Sequence, residues 1–182
     1  MNAHEHQIVF AGASLLCASL GSIHDVRERR IPNRVTFPAM AAGLAVHAFA
    51  GGWRELGDAA LAGLIAGALC LIVHRAGGMG AGDVKLMTAV GCLAGLSSLP
   101  VVVIATAIAG GIFALILSFR RRRLRETLRN VGSLLEHHGR LGLKPHPELN
   151  LSNPNALRLP FALPIAAGCL FTVCVLVWEA HS

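Results

Sequence analysis

Six runs of apolar residues, separated by short charged or glycine-rich segments, constrain the fold of this chain more than any other feature of its sequence. Since a helix needs about 20 residues to cross a bilayer, a chain of 182 residues holds at most about six or seven spans. Only 14% of the residues are charged, against roughly 25% in soluble domains. The sequence therefore predicts a single domain, residues 1–182, that is an all-α polytopic membrane protein with about six transmembrane helices, at 7–23, 35–50, 59–74, 84–96, 99–119 and 159–178.

The Lys and Arg residues predict the orientation of these spans, because such residues stay preferentially in short cytoplasmic loops. With both termini outside, fifteen of the sixteen basic residues fall on the inner side and only Arg54 falls outside. We therefore expect both termini to lie outside the cytoplasm.

Two aspartates lie where predicted spans meet the inner face. Asp25 is at the inner end of the first span, and Asp83 is at the inner start of the fourth, directly after Gly80-Ala81-Gly82. Ionisable groups at membrane depth are costly and usually functional. Each aspartate alone also fits a structural role, since Asp83 can cap the helix that follows it and Asp25 can pair with Arg27 or Arg29.

Two carboxylates held close together can activate water. Both cannot ionise readily, so one keeps its proton while the other acts as a base. The base takes a proton from water as the water attacks a peptide carbonyl, and the protonated partner donates to the carbonyl oxygen. Gly80 and Gly82 fit such a site because glycine lets the backbone approach a substrate closely, although the same glycines also fit a plain flexible turn.

These residues together resemble the type IV prepilin peptidases, which are membrane aspartic proteases of the GxGD class. The resemblance rests on Asp25, Ile31-Pro32-Asn33 and the run Gly80-Ala81-Gly82-Asp83-Val84-Lys85-Leu86, together with the six-span topology. It implies an aspartic endopeptidase of the bacterial inner membrane, with periplasmic termini and an active site facing the cytoplasm. Such an enzyme cleaves the short leader peptides of prepilins and pseudopilins and needs no metal or other cofactor.

The family's functional residues carry over to individual positions of this chain. The implied catalytic pair is Asp25 and Asp83, and six further residues shape the site. Lys85 matches a common lysine, for which anchoring at the positively charged inner face is an alternative role. The positions that match are Asp25, Asp83, Gly80, Gly82, Lys85, Ile31, Pro32 and Asn33.

The chain departs from the larger, bifunctional members of that family. Those proteins carry two CxxC pairs in a cytoplasmic insertion and also N-methylate the cleaved pilin, whereas the loop between the first two spans here is short and has no cysteine. The compact form is similar to the peptidases of Flp, or tight-adherence, pili, and so is the run 159–168 that begins the last span. We therefore expect a peptidase without N-methyltransferase activity.

The segment at about 120–157 is predicted to be a basic cytoplasmic loop. It begins with consecutive arginines, and four apolar residues follow at helical spacing: Leu124, Leu128, Val131 and Leu135. This pattern is typical of an amphipathic helix on the inner leaflet that binds anionic lipid, although a helix that continues into solvent also fits it. We expect no nucleic-acid binding, since membrane placement already accounts for the arginines.

The cysteines and histidines predict no metal site. All five cysteines fall within predicted spans without a CxxC spacing, and free cysteine packs as a small apolar residue. The loop histidines, His137, His138 and His146, lie among prolines in what we interpret as an irregular linker.

Pairs of glycines four residues apart predict close helix contacts. Gly63 with Gly67, and Gly91 with Gly95, have this spacing. The contacts can form within one molecule or between two copies, so the spacing predicts no oligomeric state.

Two alternatives from other functional classes fit part of the pattern. A transporter or channel needs polar groups along a path at mid-bilayer, whereas these carboxylates are predicted to lie at one face. A catalytically inert membrane scaffold of a pilus or secretion assembly keeps the fold without needing both carboxylates. Cleavage that is lost when either aspartate becomes asparagine separates the protease from the scaffold.

Overall fold

The computed structural model describes residues 3–120, 129, 132–133 and 161–181. In that part of the chain every regular element is helical, and the four long helices are α1 (Ala3–Glu28), α2 (Asn33–Arg75), α3 (Ala81–Arg120) and α4 (Ala162–His181). Each is long and apolar enough to cross a membrane. This confirms the predicted all-α fold built from apolar helices. The predicted lipid-binding helix and the loop histidines lie outside the described residues.

α2 is longer than a bilayer is thick, and it reverses direction at Gly52. Its 43 residues would extend about 65 Å as one straight helix, but Gly52 has a non-helical backbone with φ 69° and ψ −151°. His47 Nδ1 lies 3.4 Å from Glu55 Oε2, although eight residues span about 12 Å in a straight helix. Gly43 and Gly63 also approach the same residue of α3, Cys92. The two parts of α2 therefore lie side by side against α3.

α3 reverses in the same way at Gly95, where φ is 73° and ψ is 172°. Before this residue α3 packs against α1, since the Ser14 hydroxyl lies 3.5 Å from the carbonyl oxygen of Val90. After it α3 packs against α4, where Gly168 approaches Thr106. Beyond the turn, α3 therefore runs along α4.

Contacts along α1 define the two ends of the bundle. At one end, Gln7 Nε2 donates a hydrogen bond to Ser97 Oγ at 3.4 Å, close to the turn at Gly95. At the other end, Ser22 contacts Ala162 at the start of α4. We call this second end, formed by residues 25–33, 74–85 and 161–162, the aspartate end.

The core combines large apolar residues such as Leu86, Val90 and Ile165 with small residues that let the helices approach closely. Among the described residues it includes Ala18, Ala62, Ala66, Ala89 and Ala94. Gly63, Gly67 and Gly91 lie at contacts between α2 and α3, so these glycine contacts form within one molecule. Gly95 instead reverses the chain.

The first five predicted spans fall inside the helices, and the sixth, 159–178, overlaps α4 from Ala162 onward. Two of the predicted breaks between spans are wrong in extent. Spans 35–50 and 59–74 both lie in α2, and spans 84–96 and 99–119 both lie in α3. Residues 51–58 and 97–98, which were expected between spans, are helical apart from Gly52. Arg54, Glu55 and Asp58 lie in the first of these stretches and are exposed, so the helix accommodates their charges. Six membrane spans stay a prediction.

Candidate active site

Asp25 lies close to the C-terminus of α1, which ends at Glu28. The backbone N–H of Ala162, at the start of α4, interacts with its carboxylate. The Oδ2 atom of Asp25 is buried and has no hydrogen-bond partner among the described residues. In that part of the chain Asp25 forms no ion pair with Arg27 or Arg29, so the alternative structural role is not realised.

Asp83 is the third residue of α3 and is only 8% exposed. Its Oδ2 accepts a hydrogen bond from the Gly80 N–H at 3.3 Å, as acidic side chains in a first helical turn often do with the residue before the helix. The capping role is therefore present. The hydrogen bond from Gly80 occupies only one oxygen of the carboxylate. The other oxygen, Oδ1, is buried and has no hydrogen-bond partner in the part of the chain that the structure describes.

The carboxylates of Asp25 and Asp83 lie close enough to interact electrostatically. Each has one buried oxygen that no described residue bonds. A buried polar atom without a hydrogen bond costs about 1–3 kcal/mol, and folded proteins hold few of them. Two such oxygens on neighbouring carboxylates suit a substrate that brings its own hydrogen-bonding groups.

The Ile31-Pro32-Asn33 segment packs against the first turn of α3. Pro32 has an extended backbone, with φ −70° and ψ 141°, directly before α2 begins. A Cβ at Gly82 would lie 3.3 Å from the Cβ of Ile31, so glycine favours this close contact. The Lys85 Nζ donates a hydrogen bond to Asn33 Oδ1 at 3.0 Å. The residues singled out in the sequence thus lie together at the aspartate end.

His74 and Met79 fix the loop that leads to Asp83, and sequence reasoning did not single them out. His74 Nδ1 lies 2.7 Å from the carbonyl oxygen of Met79. The Gly78 N–H donates to the carbonyl oxygen of Val73 at 3.0 Å. These contacts hold the loop 76–80 against the end of α2 and so place Gly80 beside Asp83. A histidine at the end of an apolar helix gives no sequence signal for this role.

α4 contributes to the site through its backbone. Ser22 Oγ donates to the carbonyl oxygen of Ala162 at 2.7 Å, while the Ala162 N–H interacts with Asp25. Ser22 and Ala162 are both buried. The sequence signal here is the run 159–168, whose resemblance to the family did not indicate a contact with Asp25.

Two carboxylates that interact electrostatically do not both ionise readily, which allows one group to act as a base and the other as an acid. Among the described residues, no group of three or more His, Cys, Asp or Glu side chains is placed to hold a metal ion. The five cysteines are all free. The chemistry that the two carboxylates support is acid–base chemistry.

The sequence profile of the type IV leader peptidase family matches residues 10–115. That segment holds both aspartates, the Ile31-Pro32-Asn33 segment and the glycines before Asp83. The chain belongs to the type IV leader peptidase family. Family membership confirms the resemblance, whereas the catalytic roles of Asp25 and Asp83 stay predictions. The start of α4 lies outside the segment that the family profile matches.

Two relatives show how far the similarity within the type IV leader peptidase family extends. The prepilin leader peptidase/N-methyltransferase of Burkholderia pseudomallei strain 1026b is 35% identical over 133 residues, covering 65% of this chain and 42% of the relative. The protein of the same name from Aeromonas salmonicida strain A449 is 33% identical over 99 residues, covering 50% of this chain and 33% of the relative. The chain thus spans less than half the length of these curated relatives. No solved structure matches it.

Proposed function

We propose that this chain is an aspartic endopeptidase that cleaves the leader peptides of prepilins and pseudopilins. The observation that carries this proposal is the pair of interacting carboxylates, Asp25 and Asp83, in a member of the type IV leader peptidase family. The substrate class is supported by the relatives, which are both named prepilin leader peptidases.

In this mechanism the aspartate pair shares one proton at rest. The ionised carboxylate takes a proton from water, whose oxygen attacks the carbonyl carbon of the scissile peptide bond. The protonated carboxyl gives its proton to the carbonyl oxygen, which yields a neutral tetrahedral diol. The first carboxyl then protonates the nitrogen, the second removes a proton from one hydroxyl, and the carbon–nitrogen bond breaks. A carboxylic acid and an amine leave, and the pair again holds one proton.

The six other residues of the site support this chemistry by position. Gly82 lets Ile31 pack closely against the first turn of α3, and Pro32 starts α2 beside them. The Lys85–Asn33 hydrogen bond joins the same two helices. We therefore assign these residues, with Gly80 before Asp83, to holding the ends of α1, α2 and α3 together around the pair.

We place the aspartate end at the cytoplasmic face of the bacterial inner membrane, with six spans and both termini in the periplasm. The reversals at Gly52 and Gly95 support six spans, since each divides one long helix into two segments. The positive-inside rule supports the orientation, because six basic residues lie at or beside the aspartate end: Arg27, Arg29, Arg30, Arg34, Arg75 and Lys85. Phe49 and Trp53, 91% and 87% exposed beside the Gly52 turn, suit the opposite interface.

This orientation predicts which positions a membrane-impermeant maleimide reaches from the periplasmic side of spheroplasts. In a variant with the exposed Cys174 replaced by serine, we expect Trp53→Cys to react and Glu28→Cys to react only after the membrane is opened. The reverse pattern would place the aspartate end in the periplasm.

The finer assignments follow from the same comparison with larger family members. We propose a compact, Flp-type peptidase without N-methyltransferase activity, because only residues 29–32 connect α1 and α2 and they include no cysteine. The basic loop at about 120–157 is proposed to bind anionic lipid. The mass of the processed pilin N-terminus tests the first point, since methylation adds the mass of one methyl group.

The decisive experiment is co-expression with an Flp-type prepilin in a host that lacks its own prepilin peptidases. The wild-type chain is expected to shift the mobility of the prepilin, whereas Asp25→Asn and Asp83→Asn are expected to abolish the shift at equal membrane levels. Asp58→Asn is the matched control, because Asp58 is an exposed carboxylate outside the aspartate end, and it is expected to behave as wild type.

Two outcomes would reject the protease. Cleavage that survives in both Asn variants at the aspartate pair would show that these carboxylates are not the catalytic groups. A correctly inserted wild-type chain that leaves the prepilin uncut would favour the alternative, a catalytically inert scaffold of a pilus or secretion assembly.

A further inference from the structure

Ser22 is a buried polar residue that joins two helices at the aspartate end. It is 5% exposed, and its Oγ lies 2.7 Å from the carbonyl oxygen of Ala162 and 2.8 Å from that of Ala18. A bond to the carbonyl four residues earlier is the usual arrangement for serine in a helix. The contact with Ala162 is different, since it joins residues 140 positions apart and fixes where α4 begins.

Ala162 is held from two sides by α1. Its carbonyl oxygen accepts from Ser22, and its N–H interacts with the carboxylate of Asp25, three residues further along α1. Residues three apart lie on the same face of a helix. The first N–H groups of a helix have no partner within that helix, so the Ala162 N–H is free of α4 and available to the carboxylate.

α4 packs along both α3 and α1, and Ser22 supplies a hydrogen bond between α1 and the start of α4. Gly168 approaches Thr106, and Gly110 approaches the ring of Phe161. Asp25 also interacts with Asp83 on α3. A shift of Ala162 relative to α1 would therefore move the Ala162 N–H away from the carboxylate of Asp25. It would also change the orientation of that carboxylate relative to Asp83.

We propose that Ser22 is a positioning residue for cleavage: it docks the start of α4 on α1 so that the Ala162 N–H orients the carboxylate of Asp25 toward Asp83. The inference rests on the proposed peptidase function and deepens it. α4 then takes part in the site without supplying a reactive side chain. Ser22 acts only through Ala162 and Asp25 and does not itself touch the scissile bond.

The test compares two buried serines of α1 that differ in the helix they reach. Ser14 is 1% exposed, bonds to the carbonyl of Phe10 four residues earlier and lies 3.5 Å from the carbonyl oxygen of Val90 on α3. Ser14→Ala therefore removes a similar hydroxyl from the same helix, but not one that contacts α4. Cleavage of a prepilin peptide by the full chain in nanodiscs gives kcat and KM, and thermal unfolding reports stability.

We expect Ser22→Ala to lower kcat about tenfold and to change KM less than about twofold. A tenfold loss of rate corresponds to about the contribution of one hydrogen bond to the activation barrier. Ser14→Ala is expected to keep kcat within about twofold while losing a similar amount of stability. Ser22→Cys replaces Ser22→Ala as the test if the alanine variant folds poorly. Cysteine is close to serine in size but is a weak hydrogen-bond donor, so the same loss of kcat is expected. Ser22→Thr keeps the hydroxyl and is expected to recover most of kcat.

The outcomes separate this inference from the function on which it rests. Wild-type kcat in both Ser22→Ala and Ser22→Cys, or equal losses of kcat in Ser22→Ala and Ser14→Ala, would overturn the positioning role alone. If the wild-type chain cleaves no prepilin, the peptidase and the positioning role are both overturned.

Discussion

Lys85 links the two sequence segments that carry most of the candidate site. Its ammonium donates to Asn33 Oδ1 at 3.0 Å and lies 5.9 Å from the centre of the Phe37 ring. The first turn of α3 is therefore tied to the first turn of α2. Lys85 and Asp83 lie within one turn of α3. Loss of the Lys85–Asn33 contact is therefore expected to displace Asp83 relative to Asp25.

We expect Lys85→Met to lower the rate of leader cleavage about three- to tenfold. Methionine keeps much of the side-chain length but cannot donate to Asn33, and a partly exposed hydrogen bond is worth about 1 kcal/mol. Asn33→Asp is expected to retain activity, because a carboxylate accepts from an ammonium at least as strongly as an amide does. Single-turnover cleavage by purified variants measures both effects.

Arg75→Met is the control for the alternative role of Lys85 as a membrane anchor. Arg75 is an exposed basic residue at the end of α2, so this change removes the same charge without removing the Asn33 contact. Equal losses in Lys85→Met and Arg75→Met would support anchoring. Combining Lys85→Met with Asn33→Ala should add little to either change alone if the two side chains act as one contact.

Gly52 and Gly95 turn two long helices into hairpins. Their φ angles of 69° and 73°, with ψ of −151° and 172°, lie in a region that essentially only glycine occupies. Their surroundings differ. A Cβ at Gly52 would meet no atom within 4 Å, whereas one at Gly95 would lie 2.9 Å from Cε1 of His47. Substitutions at the two positions therefore separate backbone strain from steric overlap.

Gly52→Ala is expected to lower the free energy of unfolding by about 1–3 kcal/mol, from backbone strain alone. Gly95→Ala is expected to lower it further, because the new methyl group also displaces the buried imidazole of His47. Unfolding in mixed micelles with increasing SDS measures both. Gly57→Ala, a helical position with no atom within 4 Å of its Cβ, should be neutral or slightly stabilising. Equal stabilities of the Gly52 and Gly57 variants would contradict a strained turn at Gly52.

The positions of the helices could be predicted from the sequence, but the points at which they reverse could not. Long apolar runs identify residues that suit a membrane, and the helices contain five of the six predicted spans and most of the sixth, 159–178. Hydropathy does not show which glycine takes a positive φ, so the break around Gly52 was predicted to be eight residues long. One residue is enough to reverse the helix, since the charged residues after Gly52 are exposed to solvent and remain helical.

The site could be predicted from the sequence wherever it is made of distinctive side chains. Asp25, Asp83 and Lys85 stand out because ionisable groups at membrane depth are costly, and the structure brings them to one end of the bundle. The role of Ala162 had no such signal, because a backbone N–H is common to nearly every residue. Its contact with Ser22 also joins positions that only the folded chain brings together.

The two ends of the bundle differ in how their buried polar groups are bonded. At the aspartate end, two buried carboxylate oxygens have no hydrogen-bond partner among the described residues, whereas the buried imidazole of His47 at the opposite end contacts several helices. Its Nε2 lies 3.1 Å from the Leu93 carbonyl oxygen, its Nδ1 lies 3.4 Å from Glu55 Oε2 and its ring lies 4.1 Å from that of Phe10. His47 therefore joins α1, both parts of α2 and the turn of α3.

Stability and cleavage are consequently expected to respond to different ends of the molecule. His47→Ala should lower the free energy of unfolding by about 2–4 kcal/mol, because it empties a buried site and leaves the Leu93 carbonyl without this partner, while kcat per folded molecule stays near wild type. Asp25→Asn should abolish cleavage with little change in stability. Glu55→Gln, which keeps a side-chain oxygen for the half-exposed contact with His47, should cost less than about 1 kcal/mol. Thermal unfolding and kcat measured on the same samples test whether stability and cleavage depend on different ends. An inactive but stable His47→Ala protein, or an Asp25→Asn protein that unfolds, would show that the two ends are coupled.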